Sequence, residues 1–266
     1  MALADMKTER VSPDLSAEIA RIETLIRSPR MRRIAAPQAS GNRPIRPRNA
    51  ATLILVDGER GRERILMGKR NRALKFMPGA LVFPGGAVDR TDSAIACASE
   101  LDPATSRQIA ANLRDRPAAA RALGVAAVRE LAEETGILIG RPGQSPQGRR
   151  PAPFAKRDVA PDLAGLVLLA RAITPPGPPR RFDAWFFVAR ARGIAYAPPG
   201  GFAADGELED LAWIPPADAI GGDTREITRV MLVELMDRLK NDPELTPGRP
   251  CPFYRSVRRR FERSLI

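Results

Sequence analysis

The chain has 266 residues, 43 Lys and Arg against 31 Asp and Glu, a formal charge of +12, two cysteines and no histidine. That length holds one domain with extensions and a substantial core, and the lack of histidine excludes His-based triads, His proton shuttles and the usual His-bearing zinc sites. Cys97 and Cys251 are too few for a zinc cluster and leave a reducing cytoplasm as the default compartment, while the Arg-rich charge suits a phosphorylated small molecule, nucleic acid or an acidic surface.

Residues 1–48 read as peripheral. Leu15, Ile19, Ile22 and Ile26 fall at helical spacing and predict a short amphipathic helix, followed by a basic Pro- and Arg-rich linker. An RNA-binding arm is a second reading of that linker, but no aromatic residues are interleaved in it for base stacking. The N-terminus has no apolar signal core, and no stretch approaches the length of a membrane-spanning helix.

A domain over residues 49–242 is expected to open with the strand Ala51–Val56, turn at Asp57-Gly58 and return through Ile65–Met67. Ala80-Leu81-Val82 reads as a short strand entering the turn Phe83-Pro84-Gly85-Gly86, where glycines permit unusual backbone angles and close approach of a metal or phosphate. Asp102-Pro103 is a helix start, with Asp as cap and Pro at the first position. It predicts a helix over Ala104–Leu113 that breaks at Pro117, before a second helix begins near Ala118. After that helix, Gly140 to Pro153 reads as a Gly/Pro/Arg-rich loop. The apolar runs Leu166–Ile173 and Phe182–Ala189 read as strands across the turn Pro175–Pro179, and Leu211–Ile214 as another. A helix over Thr224–Leu239 and a basic C-terminal extension, residues 243–266, complete the chain.

The second helix carries the most informative stretch, Arg129-Glu130-Leu131-Ala132-Glu133-Glu134-Thr135-Gly136-Ile137. Glu130, Glu133 and Glu134 stand at i, i+3 and i+4, so three carboxylates share one face. Their mutual repulsion would weaken an ordinary surface helix; a hard divalent cation that prefers oxygen ligands removes the conflict. The plainer alternative is a solvated acidic helix end. Val128 and Leu131 are placed to face the core, and Gly136 supplies a helix stop.

With Phe83-Pro84-Gly85-Gly86 upstream, this pattern resembles the signature of the Nudix hydrolases, G-x5-E-x7-R-E-U-x-E-E-x-G-U. Counted from Gly86, the first acidic slot holds Asp92 rather than Glu. Between Asp92 and Arg129 lie 36 residues where the family has seven, so an insert, about residues 93–117, interrupts the signature. The interruption is similar to that in a Nudix subgroup that includes a mammalian peroxisomal coenzyme A diphosphatase. Gly79 and Phe83 match the G-x3-F spacing of a CoA-associated motif in related enzymes. Lys75 stands at that motif's second Arg, while Arg70 is one position out of register.

The resemblance implies a Nudix α/β/α sandwich with a mixed sheet, plus a helical insert. It implies Mg²⁺ or Mn²⁺ held by Glu130, Glu133, Glu134 and a main-chain group at Gly86, with one of the three glutamates as base and Arg129 orienting a glutamate. A further acid is often supplied by a later loop; Glu207 and Glu209 occupy such a place, and both also read as plain loop acids. Arg70, Lys75, Gly85 and Arg181 are the candidate substrate-binding residues. The implied activity is hydrolysis of a nucleoside diphosphate linked to another group. CoA or acyl-CoA comes first, giving 3′,5′-ADP and phosphopantetheine. ADP-ribose, NADH or dinucleoside polyphosphates are the alternative; Pro153 lies 16 residues past Ile137, where ADP-ribose enzymes often carry a proline. A Nudix-fold RNA-binding or regulatory module is the reading from another class. The partner expected is a nucleotide-type small molecule. Oligomeric state stays open, a homodimer included, as does whether the insert is a lid or a dimer contact.

Overall fold

The computed structural model describes residues 45–266 apart from 74–77, 115, 144–147, 177, 179, 200–205 and 258–259, together with 14, 16, 17, 20, 21 and 24. Residues 16, 17, 20, 21 and 24 are helical, but the apolar positions on which the N-terminal helix was expected lie outside the described residues.

Strand β1 (Arg48–Asp57) is the spine of the main sheet. It pairs antiparallel with β2 (Arg64–Arg70) through the predicted turn, and Gly58 takes a φ of 91° there. A short β3 (Leu81–Val82) pairs with β2, and β4 (Gly85–Ala87) pairs with β1. On the other side of β1 lies β8 (Phe182–Arg190), parallel to it, followed by the antiparallel β7 (Val167–Ile173). At the opposite edge β10 (Leu208–Ile214) pairs with β2.

The residues read as a C-terminal extension add two strands: β11 (Pro252–Val257) runs parallel to β7, and β12 (Arg260–Leu265) pairs with β11. The resulting order is β10-β2-β1-β8-β7-β11-β12. A three-stranded sheet holds β5 (Leu138–Pro142) between β6 (Val159–Pro161) and β9 (Ile194–Tyr196). Part of the expected Gly140–Pro153 loop is therefore strand.

Alternation along the central strands divides the core into two layers. Ala51, Leu53 and Leu55 of β1 and Trp185 and Phe187 of β8 pack beneath α1 (Pro103–Ala111) and α2 (Pro117–Thr135). Ile54, Val56, Phe186 and Val188 point the other way, against α4 (Pro216–Gly221) and α5 (Glu226–Asn241). The α/β/α sandwich with a mixed sheet follows from these two faces. A one-turn helix, α3 (Ala152–Ala155), lies beside the small sheet. No helix of the described residues is long and apolar enough to cross a membrane.

The insert is an ordered brace along the first half of α2. Asp102 caps α1 by accepting the Ala104 N–H at 2.7 Å. Leu101 fits against Gly124, where a Cβ would lie 3.0 Å from its side chain. Arg121 of α2 donates to Glu100 at 2.8 and 3.0 Å and to the carbonyls of Ser93 and Ile95 at 2.9 and 2.6 Å. From the far side of α1, the Gln108 amide donates to the carbonyls of Arg249 and Ile266 at 2.8 and 2.9 Å. Among the described residues these contacts lie on the first half of α2, ahead of the glutamates, and there the insert braces the helix.

Candidate active site

Helix α2 reaches the site almost wholly buried: Val125, Ala126, Ala127, Val128 and Leu131 are inaccessible. Gly136, with φ 73°, ends it, its N–H donating to the Ala132 carbonyl at 2.9 Å. The buried rows fix the rotation of the helix, and that rotation turns Glu130 and Glu134 toward β4, with Glu133 held by Arg129.

Arg129 and Asp92 form the buried centre of the arrangement. Arg129 donates from Nε and Nη2 to the two Asp92 oxygens at 2.9 and 3.1 Å. Asp92 is inaccessible, held in a 3-10 turn over Asp92–Ala94, and also accepts the Asp89 N–H at 2.7 Å. The remaining Arg129 hydrogens reach Glu130 at 2.9 Å, Glu133 at 2.8 Å and the Ala87 carbonyl at 3.0 Å. One guanidinium thus joins both halves of the interrupted signature. Burial would lower its proton affinity, yet the Asp92 hydrogen bond and the fields of Glu130, Asp92 and Glu133 raise it above the usual arginine range.

Gly85 and Gly86 act through their missing side chains. The sequence suggested unusual backbone angles, but neither glycine has a positive φ; both sit in strand β4. A Cβ on Gly85 would lie 2.6 Å from the Ala51 carbonyl oxygen, and one on Gly86 2.5 Å from the Glu130 carboxyl. The Gly85 N–H donates to Glu134 Oε2 at 2.9 Å. Close approach, not torsional freedom, is what these positions require.

Glu134 is buried, and its carboxyl is pushed up to about 8. Burial is the main cause, the nearby Glu130 and Glu207 add to it, and the Gly85 N–H and Arg70 pull it back. Burial also raises Glu130, against the opposing pull of Arg129. The clustered carboxylate oxygens of Glu130, Glu133 and Glu134 are the donor chemistry of a hard divalent cation. As the side chains stand, no group of three His, Cys, Asp or Glu residues among the described ones is arranged to hold an ion. Arg129 ties Glu130 and Glu133, and the Gly85 N–H occupies one Glu134 oxygen.

The other sequence candidates divide. Arg70 lies near Glu134, with its guanidinium 3.8 Å from Glu207, so both reach the site. Arg181 does not join it: its Nε donates to the Thr174 carbonyl at 3.1 Å and its Nη1 to Ile45 at 2.7 Å, clamping the start of β8. Glu209 is an exposed strand residue opposite Lys69. Lys75 lies outside the described residues.

Beside Glu133 the structure shows a cleft that no motif announced. Its volume is about 360 Å³, and Glu133, Pro153, Lys156, Arg157, Tyr196 and Pro198 help to line it. The Arg157 guanidinium lies over the Tyr196 ring, 4.2 Å from its centre. Apart from Glu133 of α2, these residues come from α3, the turn after it, β9 and the segment that follows β9. A Lys-Arg pair in a basic chain gave no signal in the sequence.

No family model matches the chain. It is similar to the Caenorhabditis elegans protein named "Putative nudix hydrolase 7", at 30% identity over 186 residues, covering 65% of this chain and 53% of that protein. It is also similar to the Homo sapiens "Acyl-coenzyme A diphosphatase NUDT19", at 27% identity over 241 residues, covering 66% of this chain and 63% of that protein. The chain therefore spans from about half to just under two thirds of these relatives' own lengths. Among solved structures, a NUDIX hydrolase from Alicyclobacillus acidocaldarius superposes with a TM-score of 0.46 at 26% identity, over 77% of this chain and 87% of that one.

Proposed function

We propose that this chain, which resembles the Nudix hydrolases in its signature and in its curated relatives, is a metal-dependent pyrophosphohydrolase whose first substrate class is CoA or acyl-CoA. The observation that carries the chemistry is the glutamate face of α2, assembled by Arg129 and pressed against two obligatory glycines. The CoA assignment draws on the interrupted signature, the Gly79–Phe83 spacing ahead of it and the name of the human relative.

Glu130, Glu133 and Glu134 would hold Mg²⁺ or Mn²⁺, which when bound neutralises diphosphate charge and makes a water easier to deprotonate. The chain's own residues supply the rest. Arg129 fixes the directions of Glu130 and Glu133, so their carboxylates do not have to be ordered when substrate arrives. A glutamate of this face is suited to accept the proton of the attacking water. Arg70, close to Glu134 and Glu207, is placed to meet phosphate oxygens and to lower the charge of the acidic cluster. For CoA, water adds to one phosphorus and one P–O bond of the anhydride breaks. The products are 3′,5′-ADP and 4′-phosphopantetheine.

The test is turnover of CoA, acetyl-CoA, ADP-ribose, NADH and diadenosine polyphosphates with Mg²⁺ or Mn²⁺, with products identified by mass. Glu133→Gln and Glu134→Gln serve as controls. Release of 3′,5′-ADP from CoA that disappears in both variants establishes the reading. Preferred cleavage of ADP-ribose or NADH keeps the chemistry and replaces the substrate. Salt-sensitive RNA binding with no turnover overturns the enzyme in favour of a binding module.

A further inference from the structure

We infer that the cleft beside Glu133 is a subsite for a nucleoside whose sugar carries a monophosphate separate from the diphosphate being cleaved. The inference rests on the hydrolase reading and deepens it by naming what the enzyme recognises away from the scissile bond.

The first argument is charge. Several arginines of the surrounding structure are committed to carboxylates: Arg129 to Asp92, Arg121 to Glu100, Arg141 to Asp162, Arg150 to Asp158 and Arg171 to Asp183. Lys156 and Arg157, like Arg149 and Arg192, have no such partner among the described residues, and they lie together in the cleft with Glu133. Lys156 and Arg157 are both exposed. Two cations in one cleft are a receptor for a dianion, and the planar guanidinium suits bidentate contact with phosphate oxygens.

The second argument is shape. Apart from the two cations and Glu133, the lining is apolar or aromatic, including Pro153, Pro198 and the ring of half-buried Tyr196. Arg157 now lies flat on that ring. A purine can take the same face, because aromatic stacking and cation–π contact use the same π surface. The displaced guanidinium is then free to turn to a phosphate. A cleft of about 360 Å³ is of nucleoside size.

The third argument is position. Glu133 lines the cleft while its carboxylate accepts from Arg129. A group in the cleft is therefore adjacent to the proposed reaction centre. A phosphate bound there is the third phosphate of the substrate, not a member of the anhydride. CoA has such a group in its 3′-phosphate; ADP-ribose and NADH do not.

Calorimetric titration of the full chain with 3′,5′-ADP and with 5′-AMP tests this without requiring turnover. Lys156→Ala, Arg157→Ala and the double variant are titrated alongside, with thermal melts to show that each is folded. The expected result is binding of 3′,5′-ADP about ten-fold tighter than 5′-AMP, as one charge-assisted contact supplies, with the advantage collapsing toward one in the double variant. Equal affinity for the two nucleotides, or a preference that survives in the double variant, overturns the subsite. In parallel, the ratio of kcat/KM for CoA over dephospho-CoA should fall in the double variant. Metal-dependent cleavage of both compounds with a ratio near one in the unmodified chain would leave the hydrolase standing and remove the subsite. Selective 3′,5′-ADP binding without cleavage would do the reverse.

Discussion

The carboxyl group of Glu130 fills the space that a side chain on Gly86 would need: a Cβ there would fall 2.5 Å from it. Arg129 holds that carboxyl from the other side at 2.9 Å, so it has little freedom to retreat. Gly86→Ala is therefore expected to displace Glu130 while leaving the sheet intact. A drop of about 10²-fold in kcat, with a melting temperature near that of the parent, is the expected result. Gly85→Ala meets backbone instead, 2.6 Å from the Ala51 oxygen and 2.7 Å from Thr52 Cα. It should lose about 2 kcal/mol of stability on chemical denaturation. If the two alanines behave alike, this division of labour is wrong.

Asp92 occupies the first acidic slot of the signature, but its oxygens are committed to Arg129 and to the Asp89 N–H. Asp92→Asn keeps the shape and removes the charge that compensates a buried guanidinium. The expected loss is about 3 kcal/mol, with activity falling because Glu130 and Glu133 lose their fixed partner. Urea unfolding monitored by Trp fluorescence measures the first effect. A neutral outcome would mean that Arg129 relaxes onto the glutamates alone.

In metal-free protein the carboxyl of Glu134 sits at about 8, above its ordinary 4.5. The folded state then keeps a proton that the unfolded chain has already released. Its contribution to stability is complete below pH 4.5 and is lost as pH rises through about 8. Melts in chelator are expected to decline across that window, on the order of 5 kcal/mol, and Glu134→Gln should flatten much of the decline. Added Mn²⁺ should restore stability most strongly at the alkaline end, where the ionised carboxylate is needed. A chelated protein whose melts do not change with pH would contradict the assignment.

Gln108 joins the insert to the C-terminal strand pair through the Arg249 and Ile266 carbonyls. Gln108→Ala should cost about 1 kcal/mol without altering KM for CoA, because the insert contacts α2 at Arg121 and Gly124, ahead of the glutamates. A large change in KM would show that the insert reaches the substrate after all.

The glutamate face was legible because helical periodicity alone places residues 130, 133 and 134 together, and Gly136 marks the stop. The central strands were legible from their apolar runs. Three features were not. Residues 243–266 look basic and proline-broken, yet only Phe253, Tyr254 and Phe261 need face inward for β11 and β12 to join the sheet. Arg181 sits at a strand entry that the sequence assigns to phosphate, while its nearest acceptors are backbone carbonyls set by the chain path. The cleft at Lys156, Arg157 and Tyr196 depends on the pairing of β5 with β6 and β9, a long-range event that local pattern does not encode.

The buried Arg129–Asp92 pair spans 37 positions of sequence, where an uninterrupted signature would span eight. In polymer terms it closes a ring, and ring-closure entropy grows only with the logarithm of contour length, so the longer ring adds about 1.4 kcal/mol to the closure cost. A segment that also packs its own helix against α2 recovers that amount easily. The two anchors that bracket it carry the constraint, and the stretch between them is a place where this architecture can accept new length at small thermodynamic cost.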